Sequence, residues 1–413
     1  MVIKPEIDGF ICRTAHPLGC EARVREEIDY VKSAGVIKQA VMGADPGTVA
    51  GKASRGSAVP KNVLVIGCST GYGLSAAIAA AWGYEANVVG VCRERPASPS
   101  KDGKPAKTAS AGFYNIRALE KISNEDGKNI TILNEDAFLT ATKRQVIDVI
   151  KDEMGCVDLV IYSLAAPKRT LDDGTTYKSV LKTTGTPFVG KDLNLRTLEI
   201  EETTIECATD EEIENSIKVM GGEDWYEWIK LLYEAGAIAD GSKTVAFSYI
   251  GPELTYPIYD HGTMGFAKRH LYETSKKISE DFGQAGIKGF ISMNKSMVTQ
   301  ASIAIPRAPI YIALLRKIMT EDGSYEGCIQ QMYRLFNEKL APGEAPVVDD
   351  KGMIRLDDYE LMRFRQDEAI RRMEAMTTET ANELAGLDLF FGDFYRMFGF
   401  GFDGVDYEAD VEI

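Results

Sequence analysis

The chain has 413 residues, too many for one minimal domain and enough to bury a large core without disulfide or metal staples. Hydrophobic residues make up 45% and charged residues 26%, an ordinary globular balance. Lys plus Arg total 47 against 62 for Asp plus Glu, a formal net charge of −15, which argues against nucleic-acid binding because that needs a basic footprint.

The N-terminus, Met1-Val2-Ile3-Lys4-Pro5-Glu6, carries no apolar signal core. Seven cysteines without a C-x-x-C pair read as free thiols, and the only histidines, His16, His261 and His270, give no zinc spacing. A soluble, cytoplasmic chain without a metal is expected. Residues 1–60 read as an N-terminal extension packed on the core, with a helix over Glu21–Ser33 and a breaker-rich surface loop from Gly43 to Pro60. Gly51-Lys52 in that loop lacks the earlier Gly and the following Ser or Thr of a phosphate loop. The longest uncharged stretch, Val63 to Tyr84, is long enough to cross a membrane, but Gly67-Cys68-Ser69-Thr70-Gly71-Tyr72-Gly73 divides it into strand, turn and helix. No membrane span is expected.

From 61 to 306 strands alternate with helices, the pattern of a doubly wound, mostly parallel α/β sheet. Val63-Leu64-Val65-Ile66 has the continuous apolar character of a strand buried on both faces. The Gly-x-x-x-Gly-x-Gly that follows is a variant of the dinucleotide fingerprint. Gly67 turns the chain off the strand, Gly71 admits a pyrophosphate, and Gly73 lets the helix over Gly73–Ala81 pack close. Free N–H groups at that helix start favour an anion. Ser69 and Thr70 offer hydroxyls to phosphate or ribose. The second strand, Asn87–Cys92, ends in Arg93-Glu94-Arg95. An acidic residue here binds the adenosine ribose and repels a 2′-phosphate, so Glu94 favours NADH over NADPH, although the flanking arginines suit a phosphate.

Further strands are expected at Ile130–Leu133, Val157–Tyr162, Thr244–Ser248 and Gly289–Met293, with a helix over Thr263–Phe282. Residues 167–222, rich in Thr, Gly and charge, read as an insertion near the substrate site. Residues 307–413 read as a helical C-terminal extension, with a charged helix over Leu356–Thr377. The Gly-x-Gly-x-x-Gly at Gly399, Gly401 and Gly404 has no apolar strand before it and reads as a packed tail.

After the fifth strand comes a run containing Tyr249, Tyr256 and Tyr259, followed by Lys268. A Tyr past a strand's carboxyl end with a Lys on the next helix suits reduction, because an ammonium strengthens a phenol O–H as donor. Several tyrosines crowd the stretch, and the residues alone do not single one out.

The spacing Tyr259-x8-Lys268, with Tyr249 ten residues earlier, resembles the bacterial trans-2-enoyl-CoA / enoyl-ACP reductase family. Matching stretches are Gly67–Gly73, Asn134–Phe138, Tyr162–Pro167, Met297–Ser302 and Phe402–Ala409, so the similarity runs along nearly the whole chain. Arg93 departs from it, standing where an aromatic is usual. The resemblance implies a short-chain-dehydrogenase-like Rossmann core. It places Gly67, Cys68, Ser69, Thr70, Gly71 and Tyr72 at the pyrophosphate and Arg93 and Glu94 at the adenosine ribose. Asp136 and Ala137 would border the adenine, and Leu164, Ala165, Met297, Val298 and Thr299 the nicotinamide half. Tyr259 would meet the substrate oxygen with Lys268 as its partner and ribose ligand, and Tyr249 would contact the thioester. The expected reaction is NADH-dependent reduction of a trans-2-enoyl thioester carried by CoA or acyl-carrier protein, without flavin or metal, by a monomer or homodimer. The rivals are a ketoreductase, which usually places its Lys four residues after the Tyr where this chain has Thr263, and a non-catalytic NADH sensor, which would not need the Tyr/Lys pair.

Overall fold

The computed structural model describes residues 1–37, 59–100 and 106–413. The expected loop from Gly43, including Gly51-Lys52, therefore lies almost wholly outside the described residues.

Seven strands form the central sheet: β1 (Asn62–Ile66), β2 (Asn87–Cys92), β3 (Ile130–Asn134), β4 (Val157–Tyr162), β5 (Ile238–Ser248), β6 (Lys288–Met293) and β7 (Ile354–Arg355). Their order is β7-β6-β5-β4-β1-β2-β3, and every pairing is parallel. The sequence places no strand after 306; Ile354–Arg355 nevertheless adds an edge to the sheet.

Side-chain alternation builds a core on each face. Val63, Val65, Leu159, Ile161 and Val245 join one apolar cluster with α1 (Pro17–Ala34), α2 (Gly71–Ile78) and α3 (Ala111–Glu125). Leu64, Ile66, Val160 and Ala246 point the other way, into a cluster shared with α4 (Thr140–Glu153), α5 (Glu223–Glu234) and α6 (Thr263–Asp281). Each β1 residue from Val63 to Ile66 is wholly buried, which explains the unbroken apolar run.

A third core lies beyond the carboxyl end of the sheet. There Ile258, Tyr259, Met264 and Val298 pack with α7 (Ala308–Glu321), α8 (Arg363–Ala375) and α9 (Leu387–Met397). The stretch 167–222 folds as two antiparallel hairpins and a helix, Asp210–Met220. It is stitched to the start of α6: Thr263 N donates to Lys182 O at 3.0 Å and Thr184 N donates to His261 O at 2.9 Å. No helix among the described residues is long and apolar enough to cross a membrane.

Candidate active site

Parallel strands bring all their carboxyl ends to one edge, and the strand order reverses between β1 and β4, where helices on opposite faces leave a crevice. Gly67 leaves β1 there with φ +88°, and a Cβ on it would stand 2.5 Å from Ser163 O at the exit of β4. A Cβ on Gly73 would stand 1.8 Å from Gly67 O. Only bare backbone fits this turn. Thr70 caps α2 without a side-chain hydrogen bond, which leaves the first N–H groups of the helix free for an anion. Cys68 is wholly buried beneath the turn. Tyr72 donates its hydroxyl to Lys295 O at 2.7 Å, and the Thr299 side chain abuts Gly71. The turn is thereby joined to the segment after β6 that carries Met297, Val298 and Thr299. These residues fit a dinucleotide.

On the adenosine side every charge is engaged. Glu94 accepts from Ser69 Oγ at 2.6 Å and Ser110 Oγ at 2.5 Å, and its backbone N–H donates to Asn134 Oδ1 at 2.6 Å. Ser69 thus braces the Glu94 carboxylate. Arg93 pairs with Asp136 at 2.5 Å across the ends of β2 and β3, and Arg95 donates to Thr108 O at 2.7 Å. Ala137 is buried behind Asp136, Leu164 is partly buried, and Ala165 is exposed past the end of β4.

The chemical end is drier. Tyr249 leaves β5, and its ring meets that of Tyr259 edge to face, with centroids 4.7 Å apart. Tyr259 is 7% exposed and lines an apolar crevice with Leu254, Ile258, Ala308, Tyr311 and Met373. Burial, and secondarily the Glu360 carboxylate, push its hydroxyl well above the ordinary phenol range. Lys268 stands on the second turn of α6. Among the described residues it has no hydrogen-bond or ion-pair partner, Tyr259 included, and burial lowers its ammonium to about 8. Such a cation is short of donors' targets and suited to ribose hydroxyls.

Two further side chains complete this end. Glu360 is wholly buried and accepts from Tyr249 Oη and Tyr311 Oη, both at 2.8 Å on Oε1, and from Ser296 N at 2.7 Å on Oε2. Lys295, 3% exposed, donates to Ser296 O at 3.2 Å and lies over the Tyr325 ring. Burial lifts Glu360 to about 7 and lowers Lys295 to about 8. Nothing in the sequence marks these residues, since a carboxylate in Asp357-Asp358-Tyr359-Glu360 reads as a solvated face.

Residues 107–341 match the family model described as the trans-2-enoyl-CoA reductase catalytic region, and residues 2–99 match the NAD(P)H binding domain of trans-2-enoyl-CoA reductase. The chain belongs to the trans-2-enoyl-CoA reductase family. Its residues 348–411 also match a model described as an enoyl reductase FAD binding domain. The family member is 46% identical to a trans-2-enoyl-CoA reductase (NADH) of Clostridium perfringens, over 100% of this chain and 99% of the relative. It is 45% identical to an enoyl-acyl-carrier-protein reductase (NADH) 1 of Vibrio parahaemolyticus, over 100% and 97%. Among solved structures it is similar to the Treponema denticola trans-2-enoyl-CoA reductase in complex with NAD, with a TM-score of 0.89, 40% identity, and coverage of 100% of this chain and 98% of that one.

Proposed function

We propose that this protein reduces the C2=C3 bond of trans-2-enoyl thioesters with NADH. The observation that carries the reading is Tyr259 buried on the wall of an apolar crevice, with Lys268 on the next helix unpaired among the described residues, together with a turn off β1 that fits a dinucleotide. The full-length likeness to enzymes named for enoyl-CoA and for enoyl-acyl-carrier protein supports it. Both carriers present the same thioester.

In this reading residues 61–306 form the nucleotide-binding and catalytic core, and the described residues of 1–60 pack on it. Residues 167–222 close the substrate side, and 307–413 complete the acyl crevice through Ala308, Tyr311 and Met373. Gly67 to Tyr72 hold the pyrophosphate. Glu94, beside Arg93, holds the ribose diol, and Asp136 and Ala137 border the adenine. Leu164, Ala165, Met297, Val298 and Thr299 bound the nicotinamide half, and Lys268 holds its ribose. A bound nicotinamide supplies hydride to C3. Tyr259 donates to the thioester oxygen as it becomes an enolate, which then collects a proton at C2 to give the saturated thioester, and Tyr249 orients the thioester. Donors fixed in advance toward such an oxyanion are a large catalytic term, and the dry surroundings of Tyr259 strengthen the bond.

Direct transfer needs no flavin. The support for a flavin-free enzyme is local: in 348–411 the Gly-x-Gly-x-x-Gly at Gly399 follows a helix, and a Cβ on Gly399 would stand 2.4 Å from His16 O. That glycine serves contact with the start of the N-terminal helix, while the match of 348–411 to a FAD binding domain stands against the flavin-free reading.

Stopped-cell assays of NADH oxidation with crotonyl-CoA and a matched enoyl-acyl-carrier protein test the reading. Turnover with either, without added flavin, is expected. Ketone reduction without enoyl reduction would replace it, as would a stoichiometric flavin absorbance required for turnover.

A further inference from the structure

A phenol has one proton to donate, and the proton of Tyr249 is already placed. Its hydroxyl donates to Glu360 Oε1 at 2.8 Å, so it has none to offer a thioester while Glu360 is a carboxylate. Tyr311 donates to the same oxygen and Ser296 N–H to the other, so the ionised Glu360 is well satisfied by donors. If Glu360 carries a proton, it becomes a donor. The Tyr249 oxygen is then its nearest free acceptor, because the Tyr311 oxygen already accepts from Gln366 Nε2 at 3.1 Å. The Tyr249 hydrogen is then free to swing away from Glu360, on the side where its ring meets that of Tyr259.

We propose that Glu360 is a positioning residue whose own proton decides whether the Tyr249 hydroxyl faces inward or faces the thioester oxygen. The inference rests on the enoyl-reductase reading. One proton is taken from solvent by Glu360 before hydride transfer, the O–H···O bond between the two side chains reverses, and no covalent bond of substrate changes in that step. With Glu360 neutral, Tyr249 and Tyr259 both donate to the developing enolate; with Glu360 ionised, Tyr259 donates alone.

The surroundings set where the switch lies. Facing Glu360 are Tyr249 beyond β5, Tyr259 before α6, Lys295 beyond β6, Tyr311 on α7 and Tyr72 on α2. Burial raises the carboxyl, the three hydrogen bonds and Lys295 oppose it, and the balance falls at about 7. Working pH therefore samples both forms. Ser296 N–H on Oε2 also ties Glu360 to the segment that holds Met297, so the two halves of the site share one carboxylate.

The test is kcat/KM for crotonyl-CoA with saturating NADH from pH 5.5 to 9, in wild type, Glu360→Gln and Tyr249→Phe. Losing one donor to the oxyanion should cost the wild type about tenfold as pH rises through 7, the equivalent of one ordinary hydrogen bond. Glu360→Gln, whose amide N–H can donate to Tyr249 at every pH, should lack the step through 7 and keep only the later decline that the Lys268 ammonium, at about 8, imposes on all three enzymes. Tyr249→Phe should be lower and should also lack the step through 7. A folded Glu360→Gln enzyme that keeps the step through 7, or a Tyr249→Phe enzyme that keeps it, overturns the proposal. Thermal melts give a readout that does not depend on turnover. The folded-state carboxyl at about 7 lies above its ordinary 4.5, so its stabilising contribution is complete below 4.5 and is lost as pH rises through 7. The Tm of Glu360→Gln should gain on wild type between pH 6 and 8.5, and an unchanged gap overturns the proposal. Failure of the wild type to reduce enoyl thioesters, with the Tm gap widening as expected, would count against the enzyme reading and leave the buried titration standing.

Discussion

The nucleotide end and the chemical end of this site handle charge in opposite ways. At the nucleotide end Glu94, Arg93 and Arg95 lie near the surface, each with a close partner. At the chemical end Lys268, Lys295 and Glu360 are pulled toward their neutral forms by burial. A binding half gains from partners that hold its groups in one geometry before the ligand arrives. A reacting half gains from low dielectric, where one donor counts for more and a proton is cheap to move. The contrast predicts that substitutions at the chemical end act on kcat and those at the nucleotide end on cofactor choice.

The largest effect should come from Tyr259→Phe, which keeps the ring against Tyr249 and deletes the hydroxyl. Loss of one oxyanion donor costs about 10²–10³-fold in kcat, and NADH affinity should barely change. Steady-state kinetics beside a thermal melt decide it; near-normal kcat in folded protein would remove Tyr259 from the chemistry. Lys268→Met crosses the divide, because the proposed reading puts its ammonium on the nicotinamide ribose while it stands on the helix that follows Tyr259. Loss of charge-assisted hydrogen bonds should cost about 10- to 100-fold in kcat/KM. Weaker NADH binding by titration calorimetry must accompany it, and a pure kcat effect would confine Lys268 to the tyrosine.

The two ends also differ in how far the sequence announces them. The turn after β1 is local: glycines at fixed spacing after an apolar strand can be read because the backbone itself makes the site. β2 and β4 have the expected bounds to the residue. β5 is longer than expected, running from Ile238 through Asp240-Gly241-Ser242 rather than from Thr244. In the structure that stretch is an irregularity in the pairing with β4 between Ile238 and Lys243. The chemical end draws on β5, β6, α6, α7 and the stretch before α8, bringing together residues up to 111 positions apart in the chain. There the residues alone suggest a tyrosine with a following lysine, and only the family resemblance singles out Tyr249, Tyr259, Lys268 and the stretch Met297–Thr299. The expected helix from Leu356 begins instead at Arg363. Arg355 holds Asp357 and Arg334 holds Asp358, so the preceding acidic run is folded inward and carries Glu360 with it. Cations supplied by other elements leave no trace in the local pattern.

Glu94→Ala should act on selectivity. Its carboxylate repels a 2′-phosphate, and its removal leaves Ser69 and Ser110 without their acceptor and open to a phosphate. The kcat/KM preference for NADH over NADPH should shrink by about tenfold, the equivalent of about 1.4 kcal/mol, with kcat for NADH little altered. An unchanged ratio would move ribose recognition away from Glu94.

The smallest effect is expected at Arg93, and it separates a free phosphate ligand from an occupied one. Taken alone, an Arg beside the ribose carboxylate suggests NADPH. Here the guanidinium is held by Asp136, and its side chain is otherwise 69% exposed. An exposed pair contributes about 0–1 kcal/mol, so Arg93→Ala should lower stability by no more than that and change the NADH:NADPH ratio by less than about threefold. Asp136→Asn tests the same point from the other side. It keeps the shape of the carboxylate, drops its charge and releases the guanidinium. NADPH use should then rise by a few-fold, and adding Arg93→Ala to Asp136→Asn should cancel the gain. If Arg93→Ala alone abolishes NADPH turnover, the arginine binds the phosphate despite its partner, and the paired charges of the nucleotide end are less fixed than their geometry indicates.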